Sequence, residues 1–175
     1  MKILVLVIVG VIAAIILLVG LAALIGSRLS KYHTATRSIF LRQPPQNVYD
    51  IVRDFSSAPA WRSDVKRVEV QTQPDGKVHL REEGKKGTVN YELAEDVPGK
   101  RMVTKILDTD LGYSGKWTYV FAPENGGARV TITEDGEVSN AIFRFMSRYV
   151  FGHTATLDAY LISLARRFGE DTIPQ

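Results

Sequence analysis

The chain contains no cysteine. Disulfide bridges, thiolate catalysis and zinc sites of the cysteine type are therefore excluded. Histidine is scarce too: His33, His79 and His153 are scattered without metal-ligand spacing, and no metal site is expected. The sequence has no Ser-His-Asp pattern, no pair of carboxylates at a defined spacing and no phosphate-binding glycine loop. GKKG at 84–87 reads as a turn. No cofactor is expected. An excess of one charge is also missing: setting Lys2 aside leaves 21 basic against 19 acidic residues, so the basic pI reflects a small imbalance rather than a patch for nucleic acid.

Charge is wholly absent from one stretch. Residues 3–25, ILVLVIVGVIAAIILLVGLAALI, carry no charged, amide or hydroxyl side chain. At about 1.5 Å per residue the run reaches roughly 34 Å, enough for a hydrocarbon core of about 30 Å. A cleavable signal has a shorter apolar core, of about 7 to 15 residues, and the small residues Ala22, Ala23, Gly26 and Ser27 stand where a span should end. A helix buried in a soluble fold would need cover on every side. A retained single-pass anchor in the cell membrane is the expectation. Arg28, Lys31, Arg37 and Arg42 follow the span, and the positive-inside bias then favours a cytoplasmic C-terminal domain. Gly10 with Ala14, and Ala22 with Gly26, make small-xxx-small spacings suited to helix packing, although a segment this rich in Gly and Ala produces them by chance.

The remainder, about 140 residues, is the size of one domain. The reading is an anchor at 1–26, a linker at 27–36, a domain at 37–170 and a tail at 171–175. Thr36 to Arg42 has strand composition and is stopped by Pro44 and Pro45. Val48, Ile51, Val52 and Phe55 then fall at helical spacing, and APAWRSDV reads as a second short helix or turn presenting Trp61. From Val65 to Val138 the period becomes two, giving six strands separated by Gly, Pro, Asn and Asp turns. Short turns imply antiparallel pairing. A long amphipathic helix is expected from Ser139 or Asn140 to Phe168, with Ile142, Phe145, Met146, Tyr149, His153, Leu157, Tyr160, Leu161 and Leu164 on its apolar stripe. Arg144, Arg148, Asp158, Arg166 and Arg167 lie mostly off it.

Two segments carry a family likeness. RSIFLRQPPQNVYDIVRDFSSAPAWRSDVKRVEV, and KWTYVFAPENGGARVTITEDGEV with the terminal TLDAYLISLARRFGE, together frame Arg37 to Glu170 and resemble the START-like helix-grip (SRPBCC) superfamily of polyketide cyclase/dehydrase and lipid-transport type. The resemblance implies an α+β helix-grip fold, in which a curved antiparallel seven-stranded sheet wraps around a long C-terminal helix, here preceded by one transmembrane helix. It also implies a cavity for an apolar or amphipathic ligand.

Strand parity supplies one apolar wall independently: Trp117, Tyr119 and Phe121 share a face, matched by Val130 and Ile132, with Tyr91, Val89 and Leu93 extending it. Such residues pack an ordinary core equally well. Polar residues on those faces are the candidates for chemistry, because their burial costs about 1 to 3 kcal/mol unless they find partners. Glu134 shares parity with Val130 and Ile132, and Glu82 with Leu80. His153 suits either acid-base work or a core hydrogen bond. The candidate ligand-binding residues are Trp61, Glu82, Tyr91, Trp117, Tyr119, Glu134, Tyr149 and His153; the resemblance implies that Trp61, with Arg62 beside it, lies in the loop-helix region that often forms the cavity rim.

The reading of function is a membrane-anchored domain that binds a hydrophobic small molecule or lipid. A cyclase- or dehydratase-like enzyme using His153 with Glu82 or Glu134, or a membrane-tethered protein-interaction module, are the alternatives.

Overall fold

The computed structural model describes residues 2–85 and 87–175. The apolar run forms α1 (Lys2–Arg28). This helix is long and apolar enough to cross a membrane, and none of its apolar window is buried in the fold, which removes the reading of a covered core helix.

Strand β1 (Tyr32–Leu41) begins inside the stretch expected to be linker, leaving only residues 29–31 between it and α1. The reason is pairing: Tyr32 to Leu41 runs in unbroken antiparallel register along β7 (Gly127–Val138). Pro44 and Pro45 then end the strand. Pro45 opens α2 (Pro45–Arg53), where its missing N–H costs nothing, and Val48, Tyr49 and Val52 turn inward at helical spacing. A 3₁₀ turn at Phe55–Ala60 leads to Trp61. The alternating segments become β2 (Val65–Thr72), β3 (Val78–Gly84), β4 (Gly87–Val97), β5 (Arg101–Ile106), β6 (Tyr113–Glu124) and β7.

All seven strands form one antiparallel sheet in the order β1-β7-β6-β5-β4-β3-β2. The register fixes two ends. Tyr32, Ile106, Tyr113 and Val138 lie at the end next to α1, whereas Leu41, Val97 and Arg101 lie at the far end. There α2 is tied to β4 by Asp96, which accepts from Tyr49 Oη at 2.5 Å and Arg53 Nε at 2.7 Å. The outer edge of β1 is covered by the chain terminus, since Ser38 and Gln175 exchange backbone hydrogen bonds of 2.9 and 2.8 Å.

The C-terminal helix departs from the expected continuous rod. Asn140 caps α3 (Ala141–Met146) by accepting from the Phe143 N–H, one π turn follows at Ser147–Phe151, and Gly152 breaks the helix at φ 74° before α4 (Ala155–Arg167). Glycine adopts that left-handed conformation without the Cβ penalty. Only α4 grips the sheet, burying Leu157, Tyr160, Leu161 and Leu164 against Ile39, Met102, Phe121, Val130 and Ile132. Arg37 on β1 holds its first turn through Asp158, Nε to Oδ1 3.0 Å.

The short α3 instead packs on the end of α1. Ala22, Ala23 and Ile25 are half-buried there and Gly26 is fully buried. A Cβ at Gly26 would overlap the Ala141 carbonyl, so one of the small-xxx-small spacings does serve helix packing, within this chain. Arg144, expected on a solvated face, is 9% exposed. Its Nε donates to the Gly26 carbonyl at 2.9 Å, capping the C-terminus of α1, and Nη1 reaches the carbonyls of Val138 and Ser139 at 3.4 Å.

Leu161 is fully buried at the centre of the grip. Leu161→Ala is expected to lower stability by about 2–5 kcal/mol, read as a drop in thermal midpoint by circular dichroism.

Candidate functional site

Directly paired residues of an antiparallel sheet share a face, and the pairs Leu80↔Tyr91, Glu82↔Val89, Trp117↔Glu134 and Tyr119↔Ile132 place five of the eight candidates on the side that α4 covers. Two polar clusters meet on this face.

The first surrounds Tyr160 of α4. Its ring is met by Trp61 at 5.3 Å, Trp117 at 5.6 Å and Tyr119 at 5.8 Å between centroids, the two tryptophans edge-on. The Arg62 guanidinium lies 5.2 Å from the same ring. Arg62 enters this apolar setting because carboxylates go with it: Nη1 and Nη2 donate to Glu82 at 2.7 and 3.1 Å, and Nη2 to Asp64 at 2.8 Å. Burial opposes its charge, yet Glu82 foremost, with Asp64, holds its pKa above the ordinary value. Burial pushes the Tyr119 hydroxyl up to about 12 and raises Tyr160 and Tyr91 as well, the nearby Glu82 adding to the shift in each, so all three remain neutral phenols at physiological pH.

The second cluster runs toward the α1 end. Glu134 accepts from Trp117 Nε1 at 2.8 Å through one carboxylate oxygen, while the other stands 3.1 Å from His33 Nε2. The His33 ring stacks on His153, with centroids 4.2 Å apart. Gly136 makes this possible, since a Cβ there would overlap the His33 ring. Burial, followed by the proximity of His33 and Arg148, lowers the His153 pKa against the opposing pull of Glu134.

The structure thus brings together Trp61, Glu82, Tyr91, Trp117, Tyr119, Glu134 and His153 along one continuous face. Glu82 and Glu134 belong to separate clusters, the former engaged by Arg62. Tyr149 stands apart. It lies on the π turn, 60% exposed and packed on Phe145, because the break at Gly152 prevents the stripe from continuing over the sheet. His153 sits in that break rather than on a helix. The expected cavity also takes another form: between α4 and the sheet the space is filled by the rings around Tyr160. Two open grooves lie elsewhere, one of about 420 Å³ between Arg53 of α2, β4 and the β2–β3 turn and one of about 320 Å³ between α2, the 3₁₀ turn and Val70 of β2; Arg53 lines both and none of the eight candidates lines either.

His33 escapes a sequence reading because its segment has the composition of a linker, although it shares parity with Ala35, Arg37 and Ile39. Thr104, buried beside Tyr119, carries no signal at all. Three buried donors make no hydrogen bond among the described residues: Arg37 Nε, which meets Asp158 in an ion pair, and, beside Tyr160, Trp61 Nε1 and Arg62 Nε, which have neither.

Comparison with solved structures agrees with this architecture. A START superfamily protein from Mycobacterium smegmatis is 15% identical with a TM-score of 0.60, the match covering 77% of this chain and 96% of that one. A protein from Thermus thermophilus is 20% identical with a TM-score of 0.62, over 77% and 96%. The di-domain ARO/CYC StfQ of the steffimycin biosynthetic pathway is 14% identical with a TM-score of 0.60, over 79% of this chain and 52% of StfQ, so the chain spans about half of that protein. At such identities the likeness is one of fold. No curated protein matches the sequence. Residues 32–168, however, match a family as a whole, from the first strand to the end of the gripping helix, and the chain therefore belongs to the polyketide cyclase/dehydrase and lipid transport family.

Proposed function

We propose that the protein is a membrane-anchored domain that binds an apolar small molecule bearing a hydrogen-bond acceptor at the aromatic cluster around Tyr160. The observation that carries this reading is the pair of buried, unpartnered donors, Trp61 Nε1 and Arg62 Nε, set among aromatic rings. An unpaired buried donor costs about 1–3 kcal/mol, which a ligand carbonyl would recover. Trp61 and Trp117 are only partly buried, so they border solvent and entry requires their rings to turn aside. A substrate class of aromatic or lipid-like carbonyl compounds fits the rings and the donors. The α1 span holds the site beside a membrane in which such compounds concentrate.

Both tryptophans of the chain lie in the site, so intrinsic fluorescence reads it selectively. The full chain in lipid nanodiscs is expected to show saturable quenching by prodan, a neutral naphthyl ketone, above the baseline of empty nanodiscs. Trp61→Phe keeps a ring but loses the N–H and should weaken binding about 5- to 10-fold, the loss of roughly 1 kcal/mol. Quenching that never saturates overturns the reading.

A second reading, acid-base chemistry on the bound carbonyl compound, is favoured by the contiguous Glu134, His33 and His153. A neutral His153 can take a proton from the carbon next to the carbonyl and return it. In deuterated buffer, bound prodan should then exchange its α-hydrogens, followed by mass spectrometry, and His153→Gln should slow this at least about 100-fold. Equal exchange in both proteins rules this chemistry out.

The lowered His153 pKa also has a consequence for stability. The unfolded chain takes up this proton first as the pH falls, so stability held above about pH 6.5 is lost as the pH drops toward the lower folded value. The urea midpoint should fall between about pH 7.5 and pH 5, and fall less in His153→Gln.

A further inference from the structure

The segment from Ala141 to Phe151 carries a density of exposed apolar side chains unlike the rest of the domain. Ile142 is 37% exposed, Phe143 55%, Val150 57% and Phe151 63%, with Tyr149 among them. In the same short stretch Arg144 points the other way and is buried on the end of α1, while Arg148 is exposed. A soluble domain seldom leaves such a cluster uncovered.

What covers it follows from where it is held. The α3 helix is clamped to the last turns of α1: Gly26 meets the Ala141 backbone, and Arg144 closes on the Gly26 carbonyl. Those turns end the uncharged run, so α3 and the π turn begin at the depth where an α1 span leaves the hydrocarbon. Aromatic side chains beside the exposed Arg148 suit that zone, where the ring body meets acyl chains and cations meet phosphates. Arg28 and Lys31 add to the same border from the α1 side.

We propose that residues 141–151 form an interfacial element that inserts Phe143, Val150 and Phe151 into the bilayer surface beside the anchor. This rests on the reading of α1 as a membrane span. It gives the domain a fixed pose: the sheet end carrying Tyr32, Ile106, Tyr113 and Val138 faces the membrane, and the α2 end faces away. The chain resumes from the interfacial element at His153, so the Glu134 cluster is the part of the site nearest the lipid.

Because the chain lacks cysteine, single cysteines carry unique spin labels. The full chain is reconstituted in vesicles of phosphatidylcholine and phosphatidylglycerol, with labels at I12C in the span, F143C and F151C in the element, and V97C at the far end of the sheet. Relative access to oxygen and to a water-soluble nickel complex gives a depth parameter. The expected values are positive at positions 12, 143 and 151 and negative at 97. Negative values at 143 and 151 with a positive value at 12 overturn the interfacial element and leave the span intact. A negative value at 12 overturns the span and this inference together. Immobile labels at 143 and 151 that neither reagent reaches indicate a protein partner on this face, which also overturns the proposal.

Discussion

Tyr160 is the contact on which the domain converges. It comes from α4, yet its ring is touched by Trp61 from the turn after α2, by Trp117 and Tyr119 from β6, and by the guanidinium of Arg62. Each aromatic pair contributes about 0.5–1.5 kcal/mol beyond the area it buries, and the cation adds about as much again. Because one ring makes all four contacts, these terms are coupled and cannot be removed independently. The position of α4 over the sheet and the arrangement of the site are therefore the same fact. A residue that packs the core is also the floor of the candidate binding surface.

That arrangement depends on an ionic core that hydrophobic patterning alone would not choose. Taking Arg62 out of water is costly, and the cost is offset only because Glu82 receives two of its nitrogens and Asp64 a share of one. Glu82 in turn is tolerated on an inner strand face because Arg62 arrives there. An aliphatic trio would pack as well. The ion group instead leaves Arg62 Nε, like the neighbouring Trp61 Nε1, in an apolar setting without a hydrogen-bond partner among the described residues, and it keeps the guanidinium charge beside neutral phenols. Under the function proposed above, such a surface would discriminate between an apolar molecule that carries an acceptor and one that does not.

Most of this is legible in the chain, because strands betray themselves by parity. The alternation from Val65 to Val138 implies the sheet, and the same rule puts Glu82, Tyr91, Trp117, Tyr119 and Glu134 on one face. The departures share a cause: they occur where backbone geometry, rather than side-chain pattern, decides. The apolar stripe from Ile142 to Phe168 has no phase break, so nothing in the pattern marks Gly152 as the end of a helix, although its φ of 74° ends it. Arg144 looks solvent-facing in sequence because its partners are backbone carbonyls, which no side-chain pattern marks. His33 goes unseen with the residues by which β1 exceeds its obvious strand composition. The two histidines beside Glu134 are thus obscured in opposite ways, one by a strand longer than its composition suggests and the other by a helix shorter than its stripe.

The broken helix links α1 to the candidate site. A continuous helix from Asn140 would lay Phe145 and Tyr149 over the sheet next to Trp117 and Glu134. The structure commits α3 to α1 instead, through a glycine without a side chain at the contact and an arginine on the terminal carbonyl. Only the 13 residues of α4 remain to cover the sheet, and the end of the inner face next to α1 is left to His33 and His153. Holding the domain against α1 and uncovering that end of the grip are thus one conformational choice. A rearrangement that freed α3 from Gly26 would let it compete for the same face, so the packing of α1 on α3 bears directly on the candidate site.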